Sequence, residues 1–195
     1  MPGVPGVIPP AINAAAAAGA PVPAGLSADE EHAYEQLAAF YKDVYYAFFM
    51  GTRPQTLTAL SDSPAGLATF MIDHDARSLA LISRSFDGVP EGLSRDDVLD
   101  NITLFWLTNT AVSAARLYWE NKLGFFTPKG VKIPVAASVF PDELYQAPRS
   151  WAEQAYPNLI HYNKLDKGGH FAAWEQPKLF SVEVCAGFRS LRNAI

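Results

Sequence analysis

The chain has 195 residues, 49% hydrophobic and 18% charged, which suits a globular protein of one domain or two small ones. Its net charge of −5, with no clustered Lys and Arg, argues against a nucleic-acid partner. The single Cys185 permits no internal disulfide and fits a reducing, cytoplasmic compartment.

Residues 1–26 are rich in Pro, Gly and Ala and read as an irregular connector, with a short helical turn at Ala14–Ala18. The first Lys or Arg is Lys42, so this N-terminus does not read as a secretory signal. No apolar run reaches the roughly 20 residues that cross a bilayer, so no membrane partner is expected. Ser27 and Glu30 form a capping box that opens a helix with Tyr34, Leu37, Ala38, Tyr41, Val44, Tyr45 and Phe48 on one stripe, ended by Gly51. Pro54 starts a short helix, and Pro64 starts another that runs toward Phe86. A turn follows over 87–92. Ser94 and Asp97 cap a long helix through Trp119, with Val98, Leu99, Ile102, Phe105 and Trp106 on its buried side.

The chain then changes character. Lys132–Phe140 is an apolar run rich in β-branched residues, as in a parallel strand covered on both faces, and Asp142 and Glu143 lie just past its end. A helix follows with Pro148 near its first turn and Trp151, Ala152, Ala155 and Tyr156 on one face. Asn158–Tyr162 reads as the next strand and leads to Gly168-Gly169-His170, where the glycines let the backbone turn and display the imidazole. The last helix, Pro177–Leu191, carries Leu179, Phe180, Val184, Phe188 and Leu191. Strand, acid, helix, strand, His, helix is the order in which α/β-hydrolases end, the acid preceding the His. The four His residues are scattered, so neither a metal nor a cofactor is expected.

Six segments, in order, resemble the epoxide hydrolases of the α/β-hydrolase fold, in particular the microsomal-like branch and its bacterial and fungal relatives. They are Thr52–Leu57, Asp62–Ala68, Asn101–Thr108, Ala115–Glu120, Phe140–Leu144 and Gly168–Ala173, and the resemblance covers nearly all of residues 27–192. It implies a partial α/β-hydrolase fold: a connector over 1–26, a helical cap or lid over 27–130, and the last two parallel strands with their helices over 131–195. It also implies hydrolysis of a small apolar epoxide to a vicinal diol through an alkyl-enzyme ester.

By that resemblance His170 is the general base and Glu143 the acid that orients it, with Asp142 as the rival acid. Tyr118 and Tyr46 are the donors to the epoxide oxygen, with Tyr45 as the rival of Tyr46. The family's Asp nucleophile, on its strand-to-helix elbow, and its His-Gly-x-Pro loop have no counterpart in these residues; Asp62 aligns with the cap instead. The sequence therefore reads as the C-terminal half of such an enzyme, active when an N-terminal half completes it. The alternatives are a non-catalytic remnant that keeps an apolar pocket and a dehalogenase-like relative, against which the tyrosine pair argues. Self-association is the further expectation for such a half.

Overall fold

In the computed structural model the structure describes residues 6–73, 76–88, 92–121 and 124–192, the side chain of Arg77 excepted. In chain order these form α1 (Pro10–Ala17), α2 (Ala28–Asp43), α3 (Tyr46–Thr52), a 3-10 helix (Pro54–Ser61), α4 (Pro64–Ile72), α5 (Ala76–Phe86), α6 (Arg95–Thr108) and α7 (Ala111–Glu120). Then come β1 (Val135–Val139), α8 (Arg149–Ala155), β2 (Leu159–Lys164), α9 (Ala172–Glu175), α10 (Pro177–Gly187) and α11 (Arg189–Arg192). The chain divides into two compact units, one of residues 1–42 with 124–195 and one of residues 43–123.

The first unit is built on β1 and β2, which pair in parallel with Ala137 opposite Tyr162 and Ser138 opposite Asn163. Parallel neighbours need a crossover, and α8 supplies it. Its apolar face, Trp151, Ala152 and Ala155, is buried as the sequence pattern demands. Those side chains join Val7, Ile8, Tyr34, Leu37, Phe126, Val139 and Tyr145 in one core. Residues 6–26 are thus more ordered than a bare connector: Ile8 N–H donates to Phe126 O at 2.9 Å, and α1 begins at Pro10, earlier than the Ala run.

The reading above grouped residues 27–130 as one helical region. In the structure α2 packs in the first unit instead, because its Ala33, Tyr34 and Leu37 complete the core under Trp151 and Tyr145. Glu30 reaches back to Ser27 as expected, its carboxylate accepting from both the Ser27 N–H and the hydroxyl. The helix stops near Asp43 rather than at Gly51, where β-branched Val44 and the aromatic pair Tyr45–Tyr46 weaken helix propensity.

The second unit is all helical. Leu67, Val98, Ile102 and Ala111 are buried together, and α3 and the 3-10 helix both pack against α7. Ser94 and Asp97 make a complete capping box at the start of α6. The helix expected to run from there to Trp119 is broken at Asn109, which adopts the left-handed conformation at φ 52°. Asn tolerates that region, and the neighbouring hydroxyls compete with the helix: Thr108 donates to Leu104 O at 2.7 Å. The expected helix from Pro64 toward Phe86 is likewise two, with Asp73 non-helical at φ −109°, ψ 51°. Leu99, read as buried, is 42% exposed. Of the turn expected over 87–92, residues 89–91 lie outside the described residues. Among the described residues no helix is long and apolar enough to cross a membrane.

The face that α10 turns to the sheet is not the apolar one. Glu183 and Gly187, four apart, are buried, while Val182 and Val184 are well exposed. A Cβ on Gly187 would stand 2.8 Å from Ala136 Cβ, so only Gly allows this approach. The Glu183 carboxylate accepts from Ser138 Oγ at 2.9 Å, His161 Nε2 at 3.1 Å and Asn163 Nδ2 at 2.9 Å, tying both strands to the helix. Burial acts to raise its pKa, but these three donors outweigh burial and hold it below the usual range. Its folded value being lowered, this stability is present above the ordinary value of 4.5 and is lost as pH falls through the folded value. Glu183→Leu should cost about 2–4 kcal/mol in urea unfolding, because it strands three polar partners; a change in midpoint within error would contradict this.

Candidate active site

Two pairs of the sequence-selected residues come together, one in each unit. In the first unit Glu143 lies four residues beyond β1 and His170 six beyond β2, so parallel pairing brings their loops to the same end of the sheet. An isolated parallel bridge between Asp142 and Gly169 continues the pairing, with Asp142 N–H donating to Gly168 O at 3.1 Å. His170 Nδ1 then stands 2.7 Å from Glu143 Oε1. A carboxylate has no hydrogen to give, so Nδ1 carries the proton and Nε2 keeps its lone pair. Glu143 is buried, and the same Oε1 accepts the Leu144 N–H at 2.7 Å, which fixes its aim.

The glycine pair is required by space as well as by conformation. Gly168 sits at φ +102°, and a Cβ there would come 2.9 Å from the Phe140 ring. One at Gly169 would lie 3.1 Å from both Asp142 Cβ and Asp142 O. Gly168→Ala should therefore destabilise the first unit by about 1–3 kcal/mol in a denaturant melt; an unchanged midpoint would show that the loop relaxes freely.

Burial acts against the His170 imidazolium, but the hydrogen bond and charge of Glu143, with the charge of Glu175, outweigh it and raise the pKa above 6.5. Because the folded value is raised, the stability this gives is complete below the unfolded value and is lost as pH rises through the folded one. The same shift means that the imidazole becomes a free base only on the alkaline side of its ordinary titration.

In the second unit Tyr46 opens α3 and Tyr118 lies on α7. Their rings meet edge to face, centroids 6.0 Å apart at 83°. Burial raises the Tyr118 pKa, and a hydrogen bond from Tyr46 partly offsets it. Tyr45, the rival of Tyr46, is 61% exposed. Tyr45 and Tyr46 both line a cleft of about 460 Å³ with Phe49 and Phe70, which also takes in Asp43 and Asp73. Gly51, read as a helix stop, lies inside α3, where a Cβ would stand 3.7 Å from Tyr118 O.

Sequence reasoning missed Glu175. It is buried, 3% exposed, and folds back on the His170 loop.

No protein-family model matches the chain. It is 46% identical to a Stigmatella aurantiaca protein provisionally named an epoxide hydrolase, over 86% of this chain and 38% of that one. It is 33% identical to epoxide hydrolase 1 of Oryctolagus cuniculus, over 83% of this chain and 39% of the other. The structure of the Aspergillus niger epoxide hydrolase superposes with a TM-score of 0.66 at 26% identity, covering 87% of this chain and 42% of that one. The juvenile hormone epoxide hydrolase of the silkworm Bombyx mori, 23% identical, shares the fold with a TM-score of 0.69 over 96% of this chain and 47% of its own length. The chain thus spans about two-fifths of the length of the curated relatives it matches.

Proposed function

Over the C-terminal part of their length, the chain is a homologue of the epoxide hydrolases of the α/β-hydrolase fold, and from that premise we propose that it supplies the base, its orienting acid and the oxygen donors of such an enzyme. The whole activity needs a carboxylate nucleophile, which an N-terminal part is proposed to bring. That carboxylate attacks one epoxide carbon, and the C–O bond breaks. The oxygen leaves as an alkoxide and takes a proton from the Tyr46–Tyr118 pair, so a hydroxyalkyl ester is left on the enzyme. His170 Nε2 then takes a proton from water as that water adds to the ester carbonyl. The vicinal diol departs, the carboxylate is restored, and the His170 proton returns to the tyrosinate by way of solvent. Glu143 holds the tautomer and stabilises the imidazolium while it exists.

The observation that carries this reading is the 2.7 Å contact between Glu143 and His170, at loops where open parallel sheets place their chemistry. Glu143 rather than Asp142 is assigned the orienting role because its carboxylate reaches the ring. A small apolar epoxide is the substrate class that the resemblance implies. In a completed enzyme Tyr118→Phe should lower kcat/KM on styrene oxide by about 10²-fold, the cost of losing one donor to developing oxygen charge. Tyr45→Phe should leave it unchanged. Equal losses from the two substitutions would remove the assignment.

A non-catalytic module that only holds an apolar ligand is the second reading. It is favoured by the cleft of about 460 Å³ beside Tyr46, which Phe49 and Phe70 line. It predicts saturable binding of styrene oxide with no diol formed, whatever N-terminal part is supplied.

A further inference from the structure

The carboxylate of Glu175 has no part in the chemistry above, yet it is among the most buried charged side chains in the chain. It closes the one turn of α9 by accepting the N–H of Phe171, the residue immediately after His170, at 2.9 Å on Oε1. The Gly169 N–H, on the residue immediately before His170, acts with that of Phe171 to lower the carboxyl pKa. Its Oε2 lies 3.2 Å from the point where a Gly169 Cβ would stand, so a side chain at 169 would obstruct the contact. One carboxylate thus bonds the main chain just after the base and lies against it just before, while Glu143 grips the ring at Nδ1.

We propose that Glu175 is a positioning residue for His170: it holds residues 169–171 as a fixed collar and sets the charge beside the imidazole without touching substrate. The inference rests on the assignment of His170 as the base, and it adds a second carboxylate to the single acid of that reading. Three acids face this loop, from two elements: Asp142 and Glu143 after β1, and Glu175 at the end of α9. Only Glu143 bonds the ring, and the charges of both Glu143 and Glu175 favour its protonated form. Burial raises the Glu175 pKa, and the Phe171 and Gly169 N–H groups pull it back, as they would for a carboxylate held in place as an anion.

The test reads His170 without turnover, so its failure is separable from failure of the functional assignment. In the purified chain, the rate of His170 carbethoxylation by diethyl pyrocarbonate, followed by peptide mass spectrometry against pH, reports the neutral imidazole. Glu175→Gln keeps the shape and removes the charge. It should move the midpoint down by roughly 0.5–1 pH unit, so that His170 reacts about 3–10 times faster on the acid side, while His161 is unmoved. An unmoved His170 midpoint in a folded Glu175→Gln chain overturns the proposal. A second measurement needs no variant: in the wild-type chain the Gly169 and Phe171 amides should exchange with deuterium more slowly than those of Asp166 and Lys167. Exchange at equal rates overturns it equally.

Discussion

His170→Gln in a completed enzyme should lower steady-state turnover by about 10³-fold or more and leave a covalent hydroxyalkyl adduct on the protein. The two chemical steps use different groups, which is why the adduct accumulates. Opening of the epoxide needs the nucleophile and the Tyr46–Tyr118 pair but no proton transfer to His170. Hydrolysis of the ester needs Nε2 to take the water proton, and Gln offers no basic nitrogen. Glu143→Gln should act in the same direction but less severely, since it leaves the ring in place with the wrong tautomer favoured. A pre-steady-state burst followed by near-zero turnover, with an intact-mass increase equal to the epoxide, is the expected record. Steady turnover without an adduct would mean that another group hydrolyses the ester. The pH dependence adds a sign. Because folding raises the His170 pKa, the hydrolytic step should gain rate as pH rises through a midpoint above 6.5.

Much of this site was legible in the sequence. His170 and Glu143 could be picked out because each follows a strand by a few residues, and parallel pairing of those strands forces the two loops together. Pairing of Tyr46 with Tyr118 rested on resemblance alone, since nothing in their spacing says that α3 packs on α7. What misled the pattern reading was apolar periodicity. In α10 it pointed to Phe180, Val184 and Phe188, yet the buried face is Glu183 and Gly187, because Ser138, His161 and Asn163 on the strands offer donors that a carboxylate answers. In the expected Ser94–Trp119 helix, the apolar stripe ran through Asn109 although the local Thr-Asn-Thr chemistry favoured a break. Glu175 stayed hidden for a third reason: its partners are backbone amides, which no side-chain pattern announces.

The isolated 195-residue chain should form no diol from styrene oxide, and it should associate rather than remain a monomer. Its sheet has two strands among the described residues, and the resemblance to the α/β-hydrolase fold implies that such strands belong to a wider parallel sheet. Two strands alone are marginal, and an open strand edge is a template for pairing. The strands, read from sequence as covered on both faces, are in fact half-buried, with only Ala137 and Val139 of β1 fully enclosed. The outer face of α10 adds Phe180, Val182, Val184 and Phe188, all more than a third exposed, beside the same sheet. These exposed apolar side chains add to the open strand edge as a surface that another chain can cover. On the proposed function, the occupant would be the N-terminal part of an α/β-hydrolase core, bringing further strands and the nucleophile. Co-expression with that part of the Stigmatella aurantiaca relative should therefore do two things at once. Sedimentation should change from associated species to a one-to-one complex with weak binding of hydrophobic dye, and diol formation should appear and depend on His170. A chain that unfolds alone as a cooperative monomer without dye binding would show a self-sufficient fold. A complex that forms without turnover would keep the docking and sink the catalytic reading.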